Sequence, residues 1–137
     1  MNSYNPEKRR MAWEKAKERM TPEQHLARRL YMIAYDHSMT SEQLLGIWDQ
    51  QAGRCKACSS PLDLETPRAF NVDHDVRCCS YELGRRGNPR TKRRISCGRC
   101  VRGILCAPCN RAVGLMERYE ERVHAWMNYI RAAGRAS

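Results

Sequence analysis

Helical periodicity dominates the chain, and strand patterning is confined to two short stretches. Residues 7–20 place Trp13, Ala16 and Met20 on a narrow apolar stripe, with Lys8, Arg9, Arg10, Lys15, Lys17 and Arg19 around it. That pattern predicts a charge-dense helix, either an arm for a polyanion or a solvated terminal helix. Thr21, Pro22 and Gln24 then form a helix start, with a capping threonine, a first-turn proline and a glutamine to close a capping box. This helix runs to about Tyr35, with Leu26, Leu30 and Ile33 on one face, and Asp36-His37 follows as a loop. Thr40 to Gln43 begin another helix, which carries Leu44, Leu45, Ile47 and Trp48 to about Gln51, and Gly53 closes it. Residues 59–68 contain Pro61 and Pro67 and read as a loop. Arg68 to Val72 read as a strand leading into Asp73 and His74, and Val101 to Leu105 as its hairpin partner. Cys106 to Asn110 turn into a short helix ending near Gly114. A last helix spans roughly 116–132, with Met116, Tyr119, Val123, Trp126, Met127 and Ile130 in one stripe. That stripe is expected to be core, and it is wide enough to serve a dimer.

The totals sharpen this picture. A chain of 137 residues suits one compact domain with a helical arm. A single Phe and a mean hydropathy of −0.77 leave a thin apolar core, which would gain from a metal staple. The N-terminus runs into charge rather than an apolar segment, and no stretch approaches membrane-spanning length. The expectation is a cytoplasmic protein with no membrane association. Its thiols would stay reduced, and its paired cysteines would bind metal rather than form disulfides. The formal charge of +10, about +6 if eight thiolates held two zinc ions, points to nucleic acid as the partner.

Basic residues cluster in an insertion over residues 77–100. It carries Cys78, Cys79, Cys97 and Cys100, with Arg85, Arg86, Arg90, Lys92, Arg93 and Arg94 between them and almost nothing apolar. Such a loop cannot bury itself, so it is solvated or lies on phosphates.

The cysteine spacing carries the chemistry. Cys55 and Cys58 form one C-x-x-C turn, and Cys106 and Cys109 form another. Two such turns supply four soft thiolates in a tetrahedron, leaving no open position, so this zinc is expected to be structural. Cys78, Cys79, Cys97 and Cys100 offer a possible second zinc site, though adjacent cysteines make awkward joint ligands. Between the halves of the first site lie Asp73 and His74, and Asn110 directly follows its last cysteine. A carboxylate and a carboxamide oxygen are hard donors suited to magnesium. A neutral imidazole beside them can take a proton from water near neutral pH. Those are the parts of a phosphodiester hydrolase. Asp36-His37 is a second Asp-His pair with no cysteine turns around it, and reads as a decoy. His25 and His124 fall within helical patterns. Neither a zinc deaminase motif nor a thioredoxin-like βαβ setting is present.

These residues resemble the recombination endonuclease VII family of phage enzymes, within the HNH or His-Me finger (ββα-metal) nucleases. The resemblance rests on Gln51 to Cys58, Val72 to Asp75 and Val101 to Asn110 with Gly114 following, and covers roughly residues 30–116. It implies that His74 is the general base, that Asp73 and Asn110 bind catalytic magnesium (with manganese as a substitute), and that Cys55, Cys58, Cys106 and Cys109 hold structural zinc. It also implies a homodimer that cuts branched DNA, including four-way junctions, during phage recombination and packaging, in the host cytoplasm. The cysteine insert resembles that of actinobacterial-phage members. Members often have histidines where this chain has Asn71 and Val76, and an acidic residue where it has Val113. Phosphate contacts would then fall to residues such as Arg77 or Arg102.

The expected fold is α+β and mostly helical, a zinc-stapled ββα-metal core with flanking helices. Residues 1–39 form the basic arm, 40–116 the nuclease core with the 77–100 insert, and 117–137 the C-terminal amphipathic helix. Two other readings stay open: a nicking or homing-type HNH endonuclease acting on ordinary duplex, and a zinc-stabilised DNA-binding module without catalysis. Under all three, raising salt from about 50 to 200 mM should weaken DNA binding by roughly a thousandfold if six or more phosphates are contacted. Fluorescence anisotropy on labelled DNA without divalent metal measures this, and a salt-independent affinity would contradict it.

Overall fold

Helices start where a side chain can answer their unpaired N–H groups. In the computed structural model, which describes residues 5–79 and 95–133 (side chains of Cys79 and Ala133 excepted), Asn5 Oδ1 accepts from the N–H groups of Glu7 at 3.0 Å and Lys8 at 3.1 Å. Helix α1 (Pro6–Glu18) follows and buries none of its residues. Thr21 and Gln24 close the expected capping box ahead of α2 (Pro22–Asp36). Thr40 and Gln43 make the same reciprocal pair ahead of α3 (Ser41–Gln50). Each pair satisfies two donors that the helix itself cannot.

The chain divides into two compact units, Met1–Gly46 with Val76–Cys100, and Ile47–Asp75 with Val101–Ser137. In the first, Leu30, Ala34 and Leu44 form a small apolar core with the buried His37, Ser96 and Cys100. The Arg28 guanidinium lies 3.8 Å from the Trp13 ring centroid, tying α1 to α2 by a cation–π contact. The segment 95–100 docks on the α2–α3 turn. Ser38 Oγ donates to Ser96 O at 2.6 Å, and His37 Nδ1 lies 3.1 Å from Ser96 Oγ. Gly98 sits at φ +81°, and a Cβ there would come within 2.9 Å of Ser38 O, so no larger residue fits that approach.

The second unit holds the sheet. Strand β1 (Phe70–His74) pairs antiparallel with β2 (Val101–Cys106), from Phe70 opposite Cys106 to Asp73 opposite Gly103. His74 then pairs with Val101, so Arg102 is an extra residue on β2, a bulge. Phe70, Val72, Ile104 and Leu105 are buried, and the Trp48 ring meets Phe70 edge-on at 5.4 Å. Helix α5 (Ala107–Arg118) packs on both strands, and α6 (Glu120–Ala133) follows it. With α4 (Val76–Cys79), this makes a mostly helical α+β fold with a two-stranded sheet, as the sequence implied.

Four boundaries differ from the sequence reading. The first helix ends at Glu18 rather than near residue 20. Arg68 takes φ +64°, so the strand begins at Phe70 and includes Asp73 and His74. The helix after Asn110 runs through Gly114 to Arg118, because an exposed helical glycine costs only about 1 kcal/mol and does not compel a stop. The final helix therefore starts at Glu120. The apolar stripe expected as core is largely on the surface: Met116, Trp126, Met127 and Ile130 are exposed, since among the described residues α6 packs chiefly on α5.

One side chain joins α3's end to the sheet. Gln51 Nε2 donates to Arg54 O at 2.7 Å and Ile104 O at 2.9 Å, while its Oε1 accepts from Ile104 N at 2.9 Å. Gly103 leaves room for it: a Cβ there would lie 2.8 Å from Gln51 Oε1 and 2.6 Å from Lys56 Cδ. Gln51→Ala should therefore cost about 2–4 kcal/mol, from lost bonds and orphaned backbone groups. Chemical denaturation of the zinc-loaded chain measures this, and a loss below about 0.5 kcal/mol, the level of a neutral surface change, would contradict it.

Candidate active site and metal centres

The first C-x-x-C turn is built by backbone bonds before any metal is considered. Cys55 N donates to Ser60 O at 2.9 Å, Ser59 N to Cys55 O at 2.8 Å, and Lys56 N to Ile104 O at 3.0 Å. Ser59 adopts φ +61° to close the turn. The second turn starts at Cys106, the last residue of β2, and enters α5 with Pro108 in its first turn. The sulfurs of Cys55, Cys58, Cys106 and Cys109 all lie within 4.8 Å of one another, with Cys58 and Cys106 at 3.9 Å. Zn–S bonds of about 2.3 Å in a tetrahedron place sulfurs about 3.8 Å apart, so the cluster fits zinc.

Protons are unevenly held among these thiols. Contact with Ser60, whose hydroxyl lies 3.2 Å from the sulfur, lowers Cys58 to about 6. Neighbouring sulfurs, Cys106 first and then Cys58, push Cys109 up to about 12. Burial raises Cys55, but backbone N–H groups of Cys106, Cys58 and Ala57 outweigh it and leave the thiol below its usual range. Four thiolates this close cannot all ionise without a cation to neutralise them.

Asp73 and His74 end β1, and Asn110 lies in the first turns of α5, which packs on that strand. All three are partly buried. The bulge aims Arg102 at Asp73: its Nε donates to Oδ2 at 2.8 Å and its Nη2 to Oδ1 at 3.0 Å. Its Nη1 donates to Glu117 Oε1 on α5. Hydrogen bonds to Asp73 and then Glu117 raise the guanidinium pKa still further. The donor set of one carboxylate and one carboxamide suits a hard divalent cation. A cation reaches Asp73 only by sharing it with Arg102 or displacing it.

The recombination endonuclease VII family model matches residues 24–132, from α2 through nearly all of α6. The chain belongs to the recombination endonuclease VII family. No individual curated protein and no solved structure matches it. As a member of that family it is a DNA endonuclease, with DNA as its substrate.

The other expected site residues of this endonuclease fall in several places. Cys78, Cys97 and Cys100 bring their sulfurs within 4.8 Å of one another, a second cluster that fits zinc. The side chain of Cys79, and the basic residues Arg85, Arg86, Arg90, Lys92, Arg93 and Arg94, lie outside the described residues. Arg77 is exposed on α4, while Arg102 is engaged by Asp73 and Glu117. His37 of the decoy pair is buried against Ser96, and burial raises the Asp36 carboxyl above its ordinary value. His25 and His124 are exposed on helices. Sequence reasoning missed Glu117 as a partner of the site and Gln51 as a strut. Glu117 follows Asn110 by seven residues, two helical turns, and that spacing was the available signal.

No helix among the described residues is long and apolar enough to cross a membrane.

The depressed Cys58 thiol yields a pH test. Its thiolate is favoured above the ordinary thiol range, and that contribution is lost as pH falls through about 6. Ser60→Ala should raise the Cys58 pKa, so protons displace zinc at a higher pH than in the wild type. A colorimetric zinc-release titration measures the shift, and an unchanged or lower release point would contradict it.

Proposed function

We propose that this endonuclease is magnesium-dependent and structure-selective, cutting branched DNA such as four-way junctions as a homodimer, with His74 as general base. The observation that carries the reading is the position of Asp73 and His74 at the end of β1, in a hairpin whose other strand ends in a cysteine of the four-sulfur cluster. The Asn110 helix packs against that hairpin, which supports Asp73 and Asn110 as joint holders of the cation. When bound there, magnesium stabilises charge on the leaving oxygen of the scissile phosphate.

The chain's own residues supply the rest. His74 accepts a proton from the attacking water. Strand pairing with Val101 restrains the backbone that carries the imidazole. The zinc clamp takes no part in the chemistry, since four thiolates fill its coordination. The basic surface and the insert's arginines bind phosphates and give affinity without sequence preference. Selection then comes from DNA shape, with each protomer nicking one strand. The exposed apolar residues of α5 and α6, Met116, Trp126 and Ile130 among them, support the dimer.

A labelled four-way junction beside its linear arms, with and without magnesium, tests this reading. Wild type should cut the junction faster than the arms, and only with the metal. His74→Ala should lose at least about a hundredfold in rate while still binding the junction. Equal cleavage of linear arms would favour a nicking enzyme of ordinary duplex, and full cutting by the variant would exclude His74 as the base.

A further inference from the structure

We infer that Arg102 is a resident counter-cation on the catalytic carboxylate, a positioning residue that must yield Asp73 before a divalent metal can bind. The inference rests on the reading above, in which Asp73 is the metal-holding carboxylate. The guanidinium fork engages both Asp73 oxygens, at 2.8 and 3.0 Å, which is the planar match that makes Arg–carboxylate pairs strong. A metal sharing that carboxylate would face a full positive charge a few Å away.

Three features suit a displaceable cation better than a permanent strut. Arg102 is the bulged residue of β2, so its side chain is aimed by one irregularity rather than fixed by the ladder. It is also the most open member of the group: its side chain is 36% exposed, against 13% for Asp73 and 20% for Glu117. The carboxylates can stay in place while the guanidinium moves outward. Glu117 holds a third nitrogen, so an arginine released by Asp73 keeps a partner beside the site. There it can meet a DNA phosphate. Metal and arginine thus exclude one another on Asp73, and the resting enzyme holds its carboxylate neutralised and oriented.

The test measures manganese binding to the full-length, zinc-loaded chain by electron paramagnetic resonance, with no DNA and no turnover. Manganese prefers oxygen donors and leaves the thiolate clusters alone. Arg102→Gln should bind Mn at least about tenfold more tightly than wild type, and Asp73→Asn added to it should abolish the gain. A folded, zinc-replete Arg102→Gln chain that binds Mn equally or more weakly would overturn the inference while leaving the Asp73 site standing. Where that variant fails to fold, Arg102→Lys decides. Lysine keeps the charge but loses the fork, so Mn should bind several-fold more tightly, and no tightening overturns the inference. Absence of Asp73-dependent Mn binding in wild type and both variants would remove the metal assignment itself, and this inference with it.

Discussion

Four sulfur atoms from the two C-x-x-C turns at residues 55–58 and 106–109 converge within 4.8 Å of one another in the second unit. Each belongs to a turn that backbone bonds have already shaped, so metal binding joins prepared pieces rather than creating them. The core beside them is small: Phe70, Val72, Ile104 and Leu105, with the Trp48 ring against one end. Such a core buries too little apolar area to fix a hairpin alone. A zinc ion held by the four sulfurs would neutralise thiolates that otherwise repel, and its binding free energy would become folding free energy. The start of β1, the end of β2 and the start of α5 would thereby be held in one place, and Asp73, His74 and Asn110 lie on β1 and α5.

Much of this could be read from the residues. Capping boxes at Thr21 and Thr40 are local chemistry, visible in four consecutive positions, and both form. The C-x-x-C turns are also local, and the pairing of 55/58 with 106/109 that the sequence suggested is the one the sulfurs make. Val101 to Leu105 read as a strand, and β2 forms there. What escaped was long-range or permissive. Gly114 looked like a stop, yet a solvent-facing glycine weakens a helix without ending it. The stripe from Met116 to Ile130 has core periodicity, but periodicity says only that a face is apolar, not that anything covers it. The Arg102 bulge changes strand register by one residue, and the neighbouring Gly103 was its available signal, since a glycine inside a strand often marks a bulge. Gln51 was legible as part of a family motif, while its role as a strut to Ile104 depends on an approach that Gly103 alone permits.

The chain as a whole is basic, at +10, and favours phosphate backbones. At the hairpin end the sign reverses, with Asp73 and Glu117 holding one guanidinium between them. A basic chain favours DNA, and the two carboxylates are held by a guanidinium in this structure. The first unit contributes differently. Ser96, Ser38 and His37 tie the segment bearing Cys97 and Cys100, the end of the 77–100 insert, to the α2–α3 turn.

Amide hydrogen exchange across residues 70–74 and 101–106, with zinc bound and after chelation, tests the dependence of the hairpin on the clamp most directly. With zinc in place these amides should exchange slowly and as a group. After chelation they should lose protection together, with Asp73 and His74 among them. Amides that stayed protected on the metal-free chain would mean that the strands hold themselves, and that the sulfur cluster does not position Asp73 and His74.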